Sequence, residues 1–399
     1  MRSLIKNTLA VILPLTLLAV IMMEGCNQKQ TADEYKNEID SIGIIWVPDL
    51  RDGIFDVELV SNGINLILKG ETDITEAKEA ITNLLRKKDV TFIDSLTILP
   101  DTTIIKKPWG LVNVSVCNIR FYLSHDAEMV TQALMGTPLR ILKLSGGWML
   151  VQTPDRYIGW IDNDAVEVKS DEEFAKWRSS SRLFYVSKTG DIFTDRTESK
   201  VISDIVAGCI LEISNSVLGY FEVLLPDGRK GFIPKEKCIL FENIKVGDYL
   251  NPEHLVKTAE TFMGIPYIWG GTSSKGFDCS GFVKTVYYLN GLILSRDASQ
   301  QFENGIRLRR NSYPDSLRIG DLLFFGRNGR GRPRATHVGM YIGDSEFIHC
   351  SGMVRINSLD STRANFSRSR RDSFIGVRRI IGAPAGDGIK PVLDHDWYN

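Results

Sequence analysis

Six cysteines in 399 residues are too few for a disulfide scaffold. Neither sign of charge is in excess. The 48 Lys and Arg against 49 Asp and Glu leave a net −1, which argues against a globally basic nucleic-acid binder. The only histidines are His125, His254, His337, His349 and His395, and no CxxC or HxxxH pair supplies ligand spacing, so neither a zinc site nor another cofactor is expected. Beyond the first 25 residues there is no apolar run of membrane length. Wholesale disorder is excluded by a composition of 43% hydrophobic and 24% charged residues. At roughly 150 residues per domain, the length suggests two or three domains.

What is present begins at the N-terminus. Arg2 and Lys6 precede the almost purely apolar run Leu9–Met23, too short for a comfortable membrane span but fitted to the core of a secretory signal. The run ends at Met23-Glu24-Gly25-Cys26, which resembles a bacterial lipoprotein processing site. Residues 1–25 are therefore expected to be a signal peptide, with Cys26 acylated as the mature N-terminus. The expected location is outside the cytoplasm, lipid-anchored to a membrane and facing the periplasm or cell surface. Five cysteines remain after Cys26, an odd number, so at least one thiol is free or pairs with another molecule. Cys117, Cys209 and Cys238 sit among β-branched and apolar neighbours and read as buried and inert.

Residues 26–100 carry one good helical stretch, Thr75–Lys88, and no visible chemistry; a packing or spacer segment is the default. An internal repeat follows. At a constant shift of 72 residues, Gly136-Thr-Pro-Leu-Arg-Ile aligns with Gly208-Cys-Ile-Leu-Glu-Ile, Trp148 with Tyr220, Pro154-Asp155 with Pro226-Asp227, and Gly159-Trp-Ile161 with Gly231-Phe-Ile233. Each copy consists of short apolar strands broken by Pro-Asp or Gly turns, which reads as a small β-barrel. The pattern resembles bacterial SH3-like domains, binding or positioning modules, at about 101–170 and 185–242. A last region spans about 245–382, with a tail at 383–399.

In that region, Asp278 is a plausible N-cap for a helix beginning at Cys279, where free N–H groups and the helix dipole stabilise a thiolate. A thiolate nucleophile needs a proton carrier, usually histidine. His337 opens a strand and His349 closes the next, so two adjacent strands can bring them together, with His349 orienting His337. The bland alternatives are a structural cysteine and satisfied strand histidines. Spacing alone leaves the choice open.

The motifs Tyr267-Ile-Trp-Gly-Gly271, Phe277-Asp-Cys-Ser-Gly-Phe282, Gly320-Asp-Leu-Leu-Phe-Phe325, Thr336-His-Val-Gly-Met-Tyr-Ile-Gly343 and Phe347-Ile-His349 resemble, in order and spacing, the NlpC/P60 cell-wall cysteine peptidases. That resemblance implies an α+β chain. Its papain-like catalytic domain follows two small SH3-like barrels and a short N-terminal α/β segment. Cys279 is then the nucleophile, His337 the general base and His349 the third member, with backbone N–H groups near Cys279 meeting the oxyanion. The two barrels bring the chain closer to γ-D-glutamyl-L-diamino acid endopeptidases, which cleave murein peptides such as L-Ala-γ-D-Glu-diaminopimelate. By that resemblance Asp297, in Ser295-Arg-Asp-Ala-Ser-Gln-Gln301, grips the free amine of an N-terminal L-Ala. Ser280 and Tyr267 line the site, and Tyr157 and Glu128 from the first barrel narrow the cleft; Ala298 stands where relatives often have Ser. A buried carboxylate paired with an ammonium would discriminate against acylated N-termini. The rivals are an endopeptidase or amidase acting on intact peptidoglycan stems, and a non-catalytic cell-wall-binding lipoprotein.

Overall fold

The computed structural model describes residues 31–244, 250–309, 315–327, 331 and 333–399. The expected signal segment and Cys26 lie outside the described residues.

The N-terminal segment is a small α/β module. Helix α1 (Asp33–Trp46) packs with α2 (Thr75–Lys87) against strands β1 (Phe55–Ser61), β2 (Leu66–Thr72) and β3 (Phe92–Ile98). Ala77, Ile81 and Leu85 recur every fourth residue on α2 and are fully buried, which fixes its inward face. The helix is the crossover between parallel β2 and β3, and β1 adds antiparallel to β2.

Two seven-stranded sheets follow. The first holds β4 (Trp109–Val112), β5 (Val116–Arg120), β6 (Met129–Leu134), β7 (Pro138–Ser145), β8 (Trp148–Gln152), β9 (Ile158–Asp162) and β10 (Val166–Lys169), in the order β10-β4-β7-β8-β9-β5-β6. Helix α3 (Asp171–Ser179) links it to the second, and its Ser170–Glu173 capping box satisfies the first-turn donors. The second sheet holds β11 (Arg182–Tyr185), β12 (Thr189–Phe193), β13 (Val201–Val206), β14 (Ile210–Val217), β15 (Tyr220–Leu224), β16 (Lys230–Pro234) and β17 (Cys238–Leu240). Read from β17, its order is β17-β11-β14-β15-β16-β12-β13, the same path as the first. The repeat seen in sequence is thus a repeat of topology. Even the bulge between Ile141 and Lys143 recurs between Ile213 and Asn215.

In the C-terminal region, helix α4 (Pro252–Glu260), hairpin strands β18 (Thr272–Ser273) and β19 (Gly276–Phe277) and helix α5 (Cys279–Leu289) precede short β20 (Leu292–Leu294) and the single turn α6 (Ala298–Gln301). The main sheet collects β21 (Ile306–Arg307), β22 (Leu322–Arg327), β23 (Arg334–Gly343), β24 (Glu346–Ser351), β25 (Met353–Ser358) and β26 (Phe374–Arg379), in the order β21-β26-β22-β23-β24-β25. Helix α7 (Arg368–Asp372) leads into β26. Phe282, Val283, Val286 and Tyr287 are all 0% exposed, so α5 is a central helix buried nearly all round and seated on β23 and β24.

Residues past 382 are part of this architecture. Strand β27 (Ile389–Pro391) pairs with β20, and Tyr398 is buried beneath Phe241. Arg182 donates to the Tyr398 carbonyl at 2.7 Å, and Arg178 to the Asp396 carbonyl at 2.7 Å. One hydrophobic core therefore runs through Leu111 of the first barrel, Phe174 and Trp177 of α3, Phe184 and Phe241 of the second barrel, helix α5 and Tyr398.

Candidate active site

The start of α5 is held in place before any chemistry is considered. Asp278 caps it, accepting from the Gly281 N–H at 2.7 Å. The other Asp278 oxygen accepts from the Gly270 N–H at 3.1 Å and from Arg296 Nη2 at 2.5 Å. Arg296, 1% exposed, also donates to Ser280 Oγ at 3.1 Å and, across the domain boundary, to Thr131 Oγ1 at 2.9 Å. A Cβ on Gly281 would lie 2.0 Å from the Gly271 carbonyl, so only glycine lets the helix approach the preceding loop so closely.

Cys279 is the first residue of that helix and 7% exposed. The sequence pointed to a resting thiolate; the environment reverses this. Burial pushes the Cys279 thiol up to about 11, with the Asp278 carboxylate adding to the rise. Hydrogen bonds with backbone N–H groups of Val338 and Ser280 pull the other way and do not prevail. The capping carboxylate that shapes the helix start thus disfavours the anion beside it.

His337 lies on β23 and His349 on β24. His337 Nε2 is 2.7 Å from His349 Nδ1, and His349 Nε2 is 2.9 Å from Asn357 Oδ1 on β25. One tautomer assignment satisfies the line: His337 Nε2–H donates to His349 Nδ1, and His349 Nε2–H donates to Asn357. Asn357 is itself anchored by donating to the Asn365 carbonyl at 2.9 Å. His337 Nδ1 is then left unprotonated as the base. Burial, with Arg370 nearby, holds His337 well below the usual histidine range, and burial brings His349 down to about 4 against the opposing Asn357 hydrogen bond. Both shifts favour the uncharged forms, thiol and imidazole.

Cys279 and His337 share a cavity of about 320 Å³ whose walls come from three modules. The catalytic region supplies Tyr267, Trp269, Ser280, Arg296, Asp297 and Arg334, and the first barrel supplies Glu128, Val130 and Tyr157. All of the side chains anticipated from sequence as substrate contacts therefore line this one cavity. Glu128 accepts from Trp269 Nε1 at 2.7 Å and braces the rim. Tyr157, 6% exposed, directs its hydroxyl to Asp297 Oδ2 at 3.3 Å. Ser280 is buried against Asp278 and Arg296.

Two features depart from expectation. Asp297 is neither fully buried nor unpaired: its side chain is 29% exposed and forms an ion pair with Arg51 Nη1 at 2.5 Å. The N-terminal module, expected to be a packing or spacer segment, thereby contributes a wall of the cavity. Sequence reasoning also missed Arg296 and Asn357. Arg296 sits directly before Asp297, and strand alternation from Arg355, which pairs with His349, places Asn357 on the same face two residues on. Among the described residues, no group of three or more His, Cys, Asp or Glu is arranged to hold a metal ion, and all five cysteines are free thiols.

Residues 264–370 match the NlpC/P60 family, and residues 123–166 match the bacterial dipeptidyl-peptidase SH3 domain. The chain is 29% identical over 251 residues to the γ-D-glutamyl-L-lysine dipeptidyl-peptidase of Bacillus cereus, covering 60% of this chain and 73% of that one. It is also 29% identical to dipeptidyl-peptidase 6 of Lysinibacillus sphaericus, covering 59% and 85%. In fold it resembles a crystal structure of an NlpC/P60 family protein from Bacillus cereus, with a TM-score of 0.58 at 24% identity over 68% of this chain and 99% of that one. The C-terminal region is an NlpC/P60 cysteine peptidase domain preceded by SH3-like barrels.

Proposed function

We propose that this NlpC/P60 cysteine peptidase hydrolyses the γ-D-glutamyl–diamino acid bond of murein peptides that carry a free N-terminal L-Ala. The observation that carries this reading is one cavity with a thiol–imidazole pair and, on the same wall, a carboxylate, Asp297, beside Tyr157. The names of the relatives support the same substrate class.

On binding, His337 Nδ1 takes the Cys279 proton as the sulfur attacks the γ-carbonyl. The oxyanion develops beside backbone N–H groups at the first turn of α5. His349 steadies the new imidazolium through Nδ1, and Asn357 keeps His349 in the tautomer able to do so. His337 then protonates the leaving amine, water attacks the thioester, and the cycle closes. A substrate ammonium is drawn to the Asp49, Arg51 and Asp297 cluster, whose net formal charge is −1. Export through the apolar N-terminal segment and acylation of Cys26 complete the proposal; among the described residues no helix is long and apolar enough to cross a membrane.

The test is mass spectrometry of products from L-Ala-γ-D-Glu-diamino acid peptides and from whole sacculus. Free L-Ala-γ-D-Glu from the short peptide is expected, with Cys279→Ala losing turnover by at least a hundredfold, the scale of a lost nucleophile. Preference for sacculus would transfer the reading to an endopeptidase of intact stems.

A further inference from the structure

Strand β6 is the edge of the first barrel sheet, and that edge is covered by the catalytic region. Thr272 Oγ1 donates to the Gln132 carbonyl at 3.1 Å and the Thr272 N–H to Gln132 Oε1 at 3.0 Å, so β6 lies along the β18–β19 hairpin that leads to the nucleophile. A Cβ on Gly270 would fall 2.3 Å from the Met129 carbonyl, which puts strand and loop in backbone contact. Between these two docking points stands Thr131. It is 1% exposed, and its Oγ1 accepts from Arg296 Nε at 2.9 Å.

Arg296 meets Asp278 end-on, with Nη2 on one carboxylate oxygen at 2.5 Å and Nη1 on the other at 3.2 Å. An end-on fork still lets the guanidinium tilt; a third contact at the Nε corner removes that freedom. Thr131 supplies it, and among the described residues Nε has no other acceptor. Without the hydroxyl a buried N–H is left unsatisfied, and the guanidinium can regain a partner only by loosening the fork. The fork matters to the thiol, because the Asp278 carboxylate opposes a thiolate at Cys279 whereas Arg296 favours it. How far the two cancel depends on how closely they are held. The thiol is also faced by Tyr267, His337 on β23, Cys350 on β24 and Arg370 on α7, and Arg296 by Asp297 at 3.9 Å and by Tyr157. Among the described residues none of these is bonded to Thr131.

The internal repeat offers a comparison within the same chain. Ser203 stands in the second barrel where Thr131 stands in the first, opposite Ile192 as Thr131 is opposite Ile119. Its hydroxyl turns back to the Asp204 carbonyl at 3.0 Å. The barrel fold therefore does not require a hydroxyl here to reach outward. We infer that Thr131 is a positioning residue for the nucleophile: by fixing Arg296 on the capping carboxylate, the first barrel keeps the Asp278 charge compensated beside Cys279. The barrel thus acts on the sulfur itself, through Arg296 and Asp278, in addition to walling the cavity.

The experiment compares the full chain as wild type, Thr131→Val, Thr131→Ala and Thr131→Ser in two assays. One is the rate of iodoacetamide alkylation as a function of pH, read by mass spectrometry of the peptide containing Cys279. The other is steady-state kinetics on L-Ala-γ-D-Glu-L-Lys. Thr131→Val keeps the shape and loses the hydroxyl; its alkylation midpoint is expected to rise by roughly half a pH unit, and its kcat to fall by about threefold with KM near wild type. Thr131→Ala loses the same hydroxyl with less bulk and is expected to match it, so the outcome does not hang on the folding of one variant. Thr131→Ser keeps the hydroxyl and is expected to retain the wild-type midpoint. A lowered Tm with an unmoved midpoint in Thr131→Val and Thr131→Ala would make Thr131 a packing residue and overturn the inference. A midpoint displaced as far in Thr131→Ser as in Thr131→Val would overturn it equally. Alkylation needs no substrate, so if wild type fails to cleave the peptide the proposed function falls and the midpoints still decide the role of Thr131.

Discussion

Asn357 marks how far the hydrogen-bonded line extends: it is not part of the cavity wall and reaches His337 only through His349. Replacing it by Leu leaves the His349 Nε2–H unpaired and frees the other tautomer, which would turn a proton toward His337 Nε2. Asn357→Leu is expected to lower kcat by roughly tenfold while KM stays near wild type, a split that a loosened binding wall would not produce. The histidines also set a pH dependence. His349 falls from an ordinary 6.5 to about 4 in the folded chain, and His337 is depressed in the same direction. Below 6.5 the unfolded chain binds protons that the folded one refuses, so stability declines as pH drops from 6.5 through about 4. The loss attributable to His349 is on the order of 3 kcal/mol, read by denaturant unfolding at a series of pH values. A His349→Gln protein should show a visibly flatter slope across that window; an unchanged slope would refute the assignment.

Among the elements, the start of α5 carries the sharpest energetic consequence. Arg296 and Asp278 form a pair with side chains 1% and 9% exposed. Arg296→Met strands the Asp278 carboxylate and is expected to destabilise the chain by about 3–5 kcal/mol, seen as a lowered Tm. The sequence made some of these elements plain and hid others, for physical reasons. Both barrels were visible because a repeated Gly-aromatic-Pro-Asp pattern must place the same turns at the same intervals. Helix α2 was visible because Ala77, Ile81 and Leu85 share one face. Cys279 and His337 stood in recognisable motifs. Arg51 was hidden because its meaning arises only when a loop 246 residues away in sequence docks on Asp297, and no local pattern encodes that. The protonation of Cys279 was hidden for a related reason. A helix start argues for a thiolate, but burial decides otherwise, and burial is a property of the assembled fold.

At the scale of the whole molecule, the barrels, α3, the catalytic helix and the last residues share one core. Heat should therefore melt them in one transition, and separate calorimetric peaks for barrels and peptidase would contradict that. Tyr398→Ala opens a cavity where these parts meet, beside Phe241, and is expected to lower stability by about 3–5 kcal/mol without splitting the transition. The enclosure built by these packed modules also governs how the nucleophile survives oxidation. Peroxide attacks thiolates, and burial, with Asp278 beside it, pushes the Cys279 thiol up to about 11, away from the reactive anion. At 7% exposure it is also shielded from bulky reagents. On the proposed mechanism, the sulfur becomes reactive only in the interval when a bound substrate lets His337 take its proton.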